Sequence, residues 1–318
     1  MDIELTVIIP TRQRLNFLQR AISSVINQSV TGIELLVADN NSDELLNELV
    51  KAIVVQFETS TPQITFTYLK SDKANAAGVR NQSINLAKGN YLFFLDDDDE
   101  FLQDSIEKRL TAIKADPSIA LLYCAAYSKI YPYPLLMYRY YEYQPWRHKD
   151  RLDIMSCTCI VINKQIITKN QLYFDELLPR RHDYDFCRRI VRAGLKIKSI
   201  GQPLVQINLH ENERISSRPF AQQNVHKELK DKWGPAIDSS VYNYAGGILV
   251  WRKCFGIDIR SYNKLAEEFY NEFGVDLPLG VKVKLRLVSI HPFVFLALYH
   301  IALSLSQFYK NQMVFIKT

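Results

Sequence analysis

Residues Leu92–Phe101 read LFFLDDDDEF: four apolar residues run straight into four consecutive aspartates, Asp96 to Asp99. A wholly apolar run of this length suits a strand buried on both faces. Four adjacent carboxylates repel one another unless water or a cation separates them. A buried strand that delivers carboxylates to its end implies a sheet with a ligand-binding edge. In an extended chain Asp96 and Asp98 would share one side, with Asp97 and Asp99 on the other.

The flanking sequence supplies the rest of that sheet. Leu5–Ile9 is a short apolar run stopped by Pro10, and Phe17–Ile26 spaces Phe17, Leu18, Ala21, Ile22, Val25 and Ile26 at helical intervals. Ile33–Ala38 reads as the second strand, Glu44–Phe57 as helix, and Ile64–Leu69 as the third strand. Ala76–Lys88 reads as a helix ended by Gly89, and Tyr91–Leu95 as the fourth strand. Asp104–Lys114 is helical, Ala120–Ala126 a strand, Met155–Ile162 a strand, Asp183–Ala193 a helix closed by Gly194, and Lys196–Ile200 a strand. Strands and helices in alternation predict an α/β fold with a mostly parallel sheet covered on both faces. Ligands gather at the carboxyl ends of such strands, where Asp39 and Asp96 both fall.

Composition narrows the partners. The formal charge of +5 belongs to the tail, because residues from Leu277 onward hold five basic side chains and no Asp or Glu. The remaining body carries 34 residues of each sign, so no basic stripe is left for nucleic acid. The five cysteines include no CxxC pair, and Cys157-Thr-Cys159 lacks the second pair that a zinc site needs, which predicts buried, reduced thiols. The opening MDIELTVIIP lacks the basic region and cleavage site of a secretion signal. Eight of the 18 tyrosines lie between Tyr123 and Tyr143, as a Tyr-rich hairpin or as an aromatic platform. Residues 282–310 join Lys282, Lys284 and Arg286 to an apolar stretch interrupted by His291, Pro292 and His300. That pattern favours attachment to an anionic membrane surface over a full span or a packed helix.

Hard oxygen ligands at a strand end suit Mg²⁺ or Mn²⁺, which take one or two carboxylates together with phosphate oxygens. The plainer reading is an acidic turn leading into a helix. A haloacid-dehalogenase-type phosphatase would want this strand near the N-terminus and Thr or Val where Glu100 stands. A calcium loop would want Gly where Phe101 stands.

Four segments in order, TVIIPTRQR, IELLVADNNS, the GVRN of residues 78–81 and LDDDD, together resemble the family-2 glycosyltransferases of the GT-A fold. The match spans roughly residues 5–101 and continues more weakly to about residue 217. The resemblance implies a GT-A catalytic domain over residues 1–217, with a nucleotide-binding half (1–101) and an acceptor half (102–217), followed by a mainly helical region (218–318). It implies that Thr11 and Arg14 lie along the nucleotide, that Asp39 bonds the uracil or ribose, and that Asp72 is a second candidate for the base. It puts Arg80 and Asn81 beneath the diphosphate and sugar, Asp96 at the ribose or sugar, and Asp98 on the metal, with Asp97 and Asp99 in support.

The family's catalytic base lies in a Glu-Asp pair before a helix. In RRHDYDFCRRIVRAGLKI, His182 replaces the Glu and Asp183 takes the base's position, with Asp185 as local competitor and helix capping as the alternative role for Asp183. LHENERISS resembles the stretch that closes the donor site and makes His210 a candidate metal or phosphate contact.

The implied reaction is inverting and metal-dependent, with Mn²⁺ or Mg²⁺. A hexose passes from a UDP-sugar, UDP-glucose or UDP-galactose foremost, to a sugar on diphospho-undecaprenol, with β linkage. The implied setting is O-antigen or surface-polysaccharide assembly, peripheral on the cytoplasmic face of the bacterial inner membrane. Two other classes stand beside it. A nucleotidyltransferase would open with a Gly-rich loop, and PTRQRLN has no Gly. A non-catalytic sugar-nucleotide-binding protein would keep the fold without the base.

Overall fold

The computed structural model describes residues 2–73, 75–130, 156–178 and 181–209, together with Leu229, Lys232 and Trp233. The apolar tail, His210 and most of the Tyr-rich stretch lie outside the described residues. The chain divides into two compact units, Met1–Ala221 and Gln222–Thr318, and the first carries the acidic turn and the sheet around it.

The first half follows the alternation of the sequence: β1 (Leu5–Thr11), α1 (Leu15–Ile26), β2 (Ile33–Asp39), α2 (Glu44–Ser60), β3 (Thr65–Lys70), α3 (Ala76–Leu86) and β4 (Tyr91–Phe94). These four strands are parallel, in the order β3-β2-β1-β4. Leu5, Val7, Ile8 and Ile9 of β1 are fully buried, as an inner strand requires. α1 covers it with Leu18, Ala21, Ile22 and Val25, the predicted stripe. Each of the larger side chains contributes about 1.5–3 kcal/mol on burial. Asp43 caps α2 through the Leu45 N–H at 2.8 Å, and Asn75 caps α3 through the Gly78 N–H at 3.0 Å.

Two punctuation residues work differently from their sequence reading. Pro10 does not stop β1, which runs on to Thr11. The ladder between β1 and β4 ends at Ile8 and Phe94, so the N–H that Pro10 lacks falls beyond it. Gly89 does not end α3 either, since the helix stops at Leu86. A Cβ at Gly89 would lie 2.4 Å from backbone atoms of both Leu5 and Thr6, so close approach to β1 is what demands glycine there.

The second half is mixed. β5 (Glu100–Phe101), α4 (Ser105–Lys114), β6 (Ile119–Ile130), a 3-10 turn (Cys157–Cys159), β7 (Ile160–Asn163), α5 (Lys164–Lys169), α6 (His182–Arg192) and β8 (Lys196–Leu209) complete the unit. Where it is described, from Ser156, the predicted strand at Met155–Ile162 is a turn followed by a strand, and β5 and α5 are additional to the sequence reading. β7 runs antiparallel to both β4 and β6, while β6 and β8 are parallel. The full order is β3-β2-β1-β4-β7-β6-β8-β5. β5 therefore lies four strand spacings from β4, about 19 Å across a flat sheet. The chain between Phe94 and Glu100 spends part of its reach of about 20 Å on a turn, closed by the Asp99 N–H on the Asp96 carbonyl at 3.0 Å. Only a sheet that curls can satisfy both, and the curl folds the acidic turn toward β8.

α6 ends as its sequence suggests. Gly194 has φ +70°, and the N–H groups of Gly194 and Leu195 return to the carbonyls of Val191 and Ile190. Cys124, Cys157, Cys159 and Cys187 are buried free thiols. Among the described residues no helix is long and apolar enough to cross a membrane.

Candidate active site

The strand order reverses direction at β1, whose two neighbours are β2 and β4. Such a switch point opens a crevice at the carboxyl ends of the strands. Thr11 ends β1 and the acidic turn follows β4, and the Thr11 hydroxyl donates to Asp97 Oδ2 at 2.9 Å across that crevice.

The four aspartates do not alternate as an extended chain would have them. The turn gives each its own surroundings. Asp97 and Asp98, at its centre, are buried and share one cation: Arg14 Nη1 stands 3.0 Å from Asp97 Oδ1 and 2.9 Å from Asp98 Oδ2. Arg14 reaches them from the start of α1, after Gln13 turns the chain at φ 61° and donates its N–H to Asn41 Oδ1 at 2.8 Å. Asp96 is part-exposed and pairs with Arg80 of α3 at 2.5 Å. Asp99, 2% exposed, accepts from the Thr158 hydroxyl at 2.8 Å and the Asn208 N–H at 3.1 Å, so it anchors the turn to the 3-10 turn and β8.

Burial and the neighbouring Asp98 charge push the Asp97 carboxyl up to about 7, against the pull of Arg14 and Thr11. The arginines thus leave negative charge under-compensated. That surplus, and a donor set of hard oxygens, fits a divalent cation of the Mg²⁺ or Mn²⁺ kind. Asp98 is the residue of the turn that would hold it. Among the described residues no three His, Cys, Asp or Glu side chains group as a metal cage. A cation that draws most of its ligands from phosphate and water needs no such cage.

Several supporting residues carried no signal in the sequence. Asn208 donates from Nδ2 to the Asp98 carbonyl and to Glu100 Oε1, both at 2.9 Å. Arg20 Nη2 donates to the same carbonyl at 3.1 Å. Arg109 is fully buried against the rings of Phe93 and Phe101 and donates to the Thr158 carbonyl at 3.0 Å, which fixes the turn that presents Ser156 and Thr158 to the aspartates. Most of these contacts join residues far apart in the chain, so a single sequence gives no spacing to find them by.

Asp39 ends β2 and is fully buried. Oδ1 accepts the Asn41 N–H and Nδ2 at 2.9 and 2.7 Å, and Oδ2 accepts the Tyr68 hydroxyl at 2.8 Å. Burial first, and then Asp39, hold the Tyr68 phenol well above its ordinary pKa. Asp72 is exposed on the segment after β3. Asn81 turns its amide to Phe174 and Glu176.

On α6, the two acidic candidates separate. Asp185 is fully buried and accepts from Arg189 Nε at 2.8 Å. Asp183 is half-buried, and its charge acts on Arg80 together with that of Asp96. Burial opposes the Arg80 charge, yet Cys157, Asp96 and Asp183 carry its pKa above the ordinary value. Asp183 is not the cap, because the helix starts at His182 with Arg181 in the capping position at φ 56°. His182, in the place of the family's Glu, is buried and donates from Nε2 to the Leu178 carbonyl at 2.7 Å.

The curled, mostly parallel sheet with carboxylates at its switch point is the arrangement that the sequence resemblance implies. Residues 6–170 match the family profile of "Glycosyl transferase family 2", just over half of the chain. The chain belongs to that family and is a glycosyltransferase. It is 27% identical over 284 residues to the putative colanic acid biosynthesis glycosyl transferase WcaA of Escherichia coli, covering 83% of this chain and 96% of that one. It is 25% identical over 233 residues to the amylovoran biosynthesis glycosyltransferase AmsB of Erwinia amylovora, covering 68% and 73%. A shorter match, 32% identical over 103 residues and 32% of each chain, is to a Campylobacter jejuni GalNAc(5)-diNAcBac-PP-undecaprenol beta-1,3-glucosyltransferase. Among solved structures, S. aureus TarS 1-349 with UDP-GlcNAc superposes with a TM-score of 0.53 at 14% identity, over 92% of this chain and 89% of that one. The mannosyltransferase PcManGT of Pyrobaculum calidifontis, with GDP-Man and Mn²⁺, gives 0.55 at 12%, over 95% and 88%. These likenesses establish the GT-A fold.

Proposed function

We propose that the chain moves a hexose, with inversion, from a UDP-sugar to a sugar on a lipid diphosphate, in surface-polysaccharide assembly. The observation that carries this reading is the position of Arg80, ion-paired with Asp96 beyond β4 and under the influence of Asp183 on α6. One permanent cation thereby links the carboxylates of the donor side to the candidate base. The polysaccharide roles named for WcaA and AmsB, and the polyprenol diphosphate acceptor named for the Campylobacter jejuni enzyme, support the substrate class. UDP-glucose or UDP-galactose is the donor proposed, with β linkage to a sugar on diphospho-undecaprenol.

In this reading residues 1–101 hold the nucleotide, with Thr11, Arg14, Asp39, Asp72 and Asp96 along it, and residues 102–217 hold the acceptor. Asp183 takes the proton of the acceptor hydroxyl as that oxygen attacks the anomeric carbon on the face opposite the nucleotide. The bond to the diphosphate breaks in the same step, so no covalent enzyme intermediate is needed. Mn²⁺ or Mg²⁺ held by Asp98, with His210 as a further candidate ligand, would supply charge neutralisation for the leaving diphosphate. Asp97 keeps the loop after β1 against the turn through Thr11 and Arg14. The basic and apolar residues 282–310 would attach the enzyme to the cytoplasmic face of the inner membrane.

The test is a donor screen with Mn²⁺ and a synthetic lipid-diphosphate-sugar acceptor, with the product linkage read by NMR. Transfer from UDP-glucose or UDP-galactose with a β linkage is expected. Incorporation of label from a nucleoside triphosphate into a nucleotide sugar would overturn the reading.

A further inference from the structure

The GVRN stretch of α3 is used in an unexpected way. Both amide hydrogens of Asn81 are taken: Nδ2 donates to the Phe174 carbonyl and to Glu176 Oε1, each at 2.9 Å. Its oxygen accepts the Phe174 N–H at 2.8 Å. Asn81 thus clasps both backbone groups of Phe174, as a neighbouring strand would, and has no donor left for a ligand. Asn75 adds a bond to the Glu176 carbonyl at 2.7 Å, and the Tyr173 hydroxyl donates to Asn85 Oδ1 at 3.0 Å. Gly78 leaves the space, since a Cβ there would meet Glu176 Oε2 and Lys73 Cβ at 3.0 Å each.

The other side of this strap is α6. The Phe174 ring stacks on Phe186 with centroids 4.3 Å apart and an interplanar angle of 18°, and it meets the edge of Phe94 of β4 at 5.6 Å. Arg80 lies over the same ring at 5.8 Å. Arg189 of α6 donates to the Tyr173 carbonyl. Phe186 stands three residues after Asp183, on the same helical face. Residues 173–176 are therefore bonded to α3 on one side and packed on α6 on the other.

We propose that Asn81 is a positioning residue for catalysis: through Phe174 and Phe186 it sets where α6 holds Asp183 relative to the acidic turn. The inference rests on the reading of Asp183 as the base. It takes Asn81 away from the donor, where the sequence resemblance puts it.

The experiment compares Asn81→Ala with the unaltered full chain on the same donor, Mn²⁺ and lipid acceptor. A displacement of the base by about 1 Å costs up to about 100-fold in rate. A fall in kcat of about 10-fold or more is expected, with donor KM and calorimetric UDP affinity unchanged within about two-fold. Amide hydrogen exchange over residues 173–178 and the first turn of α6 should quicken by about 10-fold, a change that loss of a donor contact would not produce. Phe174→Leu keeps the clasp and removes the stacking, and it should reproduce the kcat loss, so a misfolded Asn81→Ala would not end the test. Weakened UDP affinity with unchanged exchange would overturn the proposal, as would unchanged kcat in both variants. Asp183→Asn distinguishes the two readings. If that variant is inactive while Asn81→Ala is unaffected, the positioning role alone fails. If it retains full transfer, the base assignment fails and takes the positioning role with it.

Discussion

The two ends of one sheet both bury carboxylates, and they treat them in opposite ways. At the amino ends, Glu34 of β2 is fully buried. Oε2 accepts the Thr6 hydroxyl at 2.7 Å and the Lys88 N–H at 2.8 Å, and Oε1 accepts the Thr67 hydroxyl at 2.8 Å, with Lys88 Nζ at 3.6 Å. One charge meets several donors, and strands β1, β2 and β3 are knit together. At the carboxyl ends, four aspartates crowd a single turn, three of them buried, and Arg14 is shared between two of them. The Asp97 carboxyl is pushed up to about 7 by burial and by Asp98. Stability alone does not select such an arrangement. A buried, mutually repelling cluster at a switch point is the kind of arrangement that marks a candidate ligand site.

The sharpest way to break that contrast is to alter the candidate site at the carboxyl ends and leave the fold intact. Asp183→Asn should lower kcat by about 10²–10⁴-fold, the usual contribution of a positioned general base, without lowering the urea midpoint. Steady-state transfer to the lipid acceptor measures it, and retained turnover would strip Asp183 of its role. Asp98→Asn should cost about 100-fold or more in transfer, on the scale of losing one preorganised electrostatic partner. It should also weaken Mn²⁺ binding followed by electron paramagnetic resonance. The opposite pattern belongs to Glu34. Glu34→Ala leaves two hydroxyls and a backbone N–H without their acceptor, at about 1–3 kcal/mol for each group that water cannot reach. A loss of about 2–4 kcal/mol in urea unfolding is expected on that scale, with kcat per folded molecule unchanged. A kcat defect there would mean that the two ends are coupled.

The first half of the sheet is far easier to read from the sequence than the acidic turn and the second half. β1 to β4 and the helices between them announce themselves through local periodicity, because each buries one stripe or one run. The acidic turn and Asp183 stand out as candidates because the signals that mark them, a run of four carboxylates and an acidic helix start, are local too. What escaped was set by contacts between distant segments. LFFLDDDDEF reads as strand and then extended aspartates, yet the hydrogen bond from Asp99 back to Asp96 makes a turn and regroups the four. The antiparallel β7 depends on where the chain returns after residues 131–155, which no local pattern dictates. Gly89 looked like a helix stop, but its reason is the backbone of β1, 83 residues earlier at Thr6. Nothing in the local sequence marks Arg109, which is wholly buried against two Phe rings.

His182 offers the smallest expected effect and the finest test of the contrast. At the Glu34 end the buried charge is surrounded by donors, whereas at the candidate site a buried imidazole sits near a like charge. Burial first, and then Arg80, hold the His182 pKa below its ordinary value of 6.5. The folded protein therefore keeps His182 neutral at pH values where the unfolded chain takes up a proton. Because the unfolded state then binds more protons, stability rises with pH through this window and is lost as pH falls below about 6.5, levelling off beneath the depressed folded value. His182→Gln can still donate to the Leu178 carbonyl and cannot titrate. Urea unfolding of both proteins at pH 7.5 and pH 5 should show the unaltered chain losing more stability on acidification than the variant. The rate of transfer at pH 7.5 should change little, since the ring faces Leu178. Equal losses in the two proteins would mean that the position filled by Glu in related enzymes is no less hospitable to positive charge here than water is. The like-charge crowding would then be confined to the aspartates themselves.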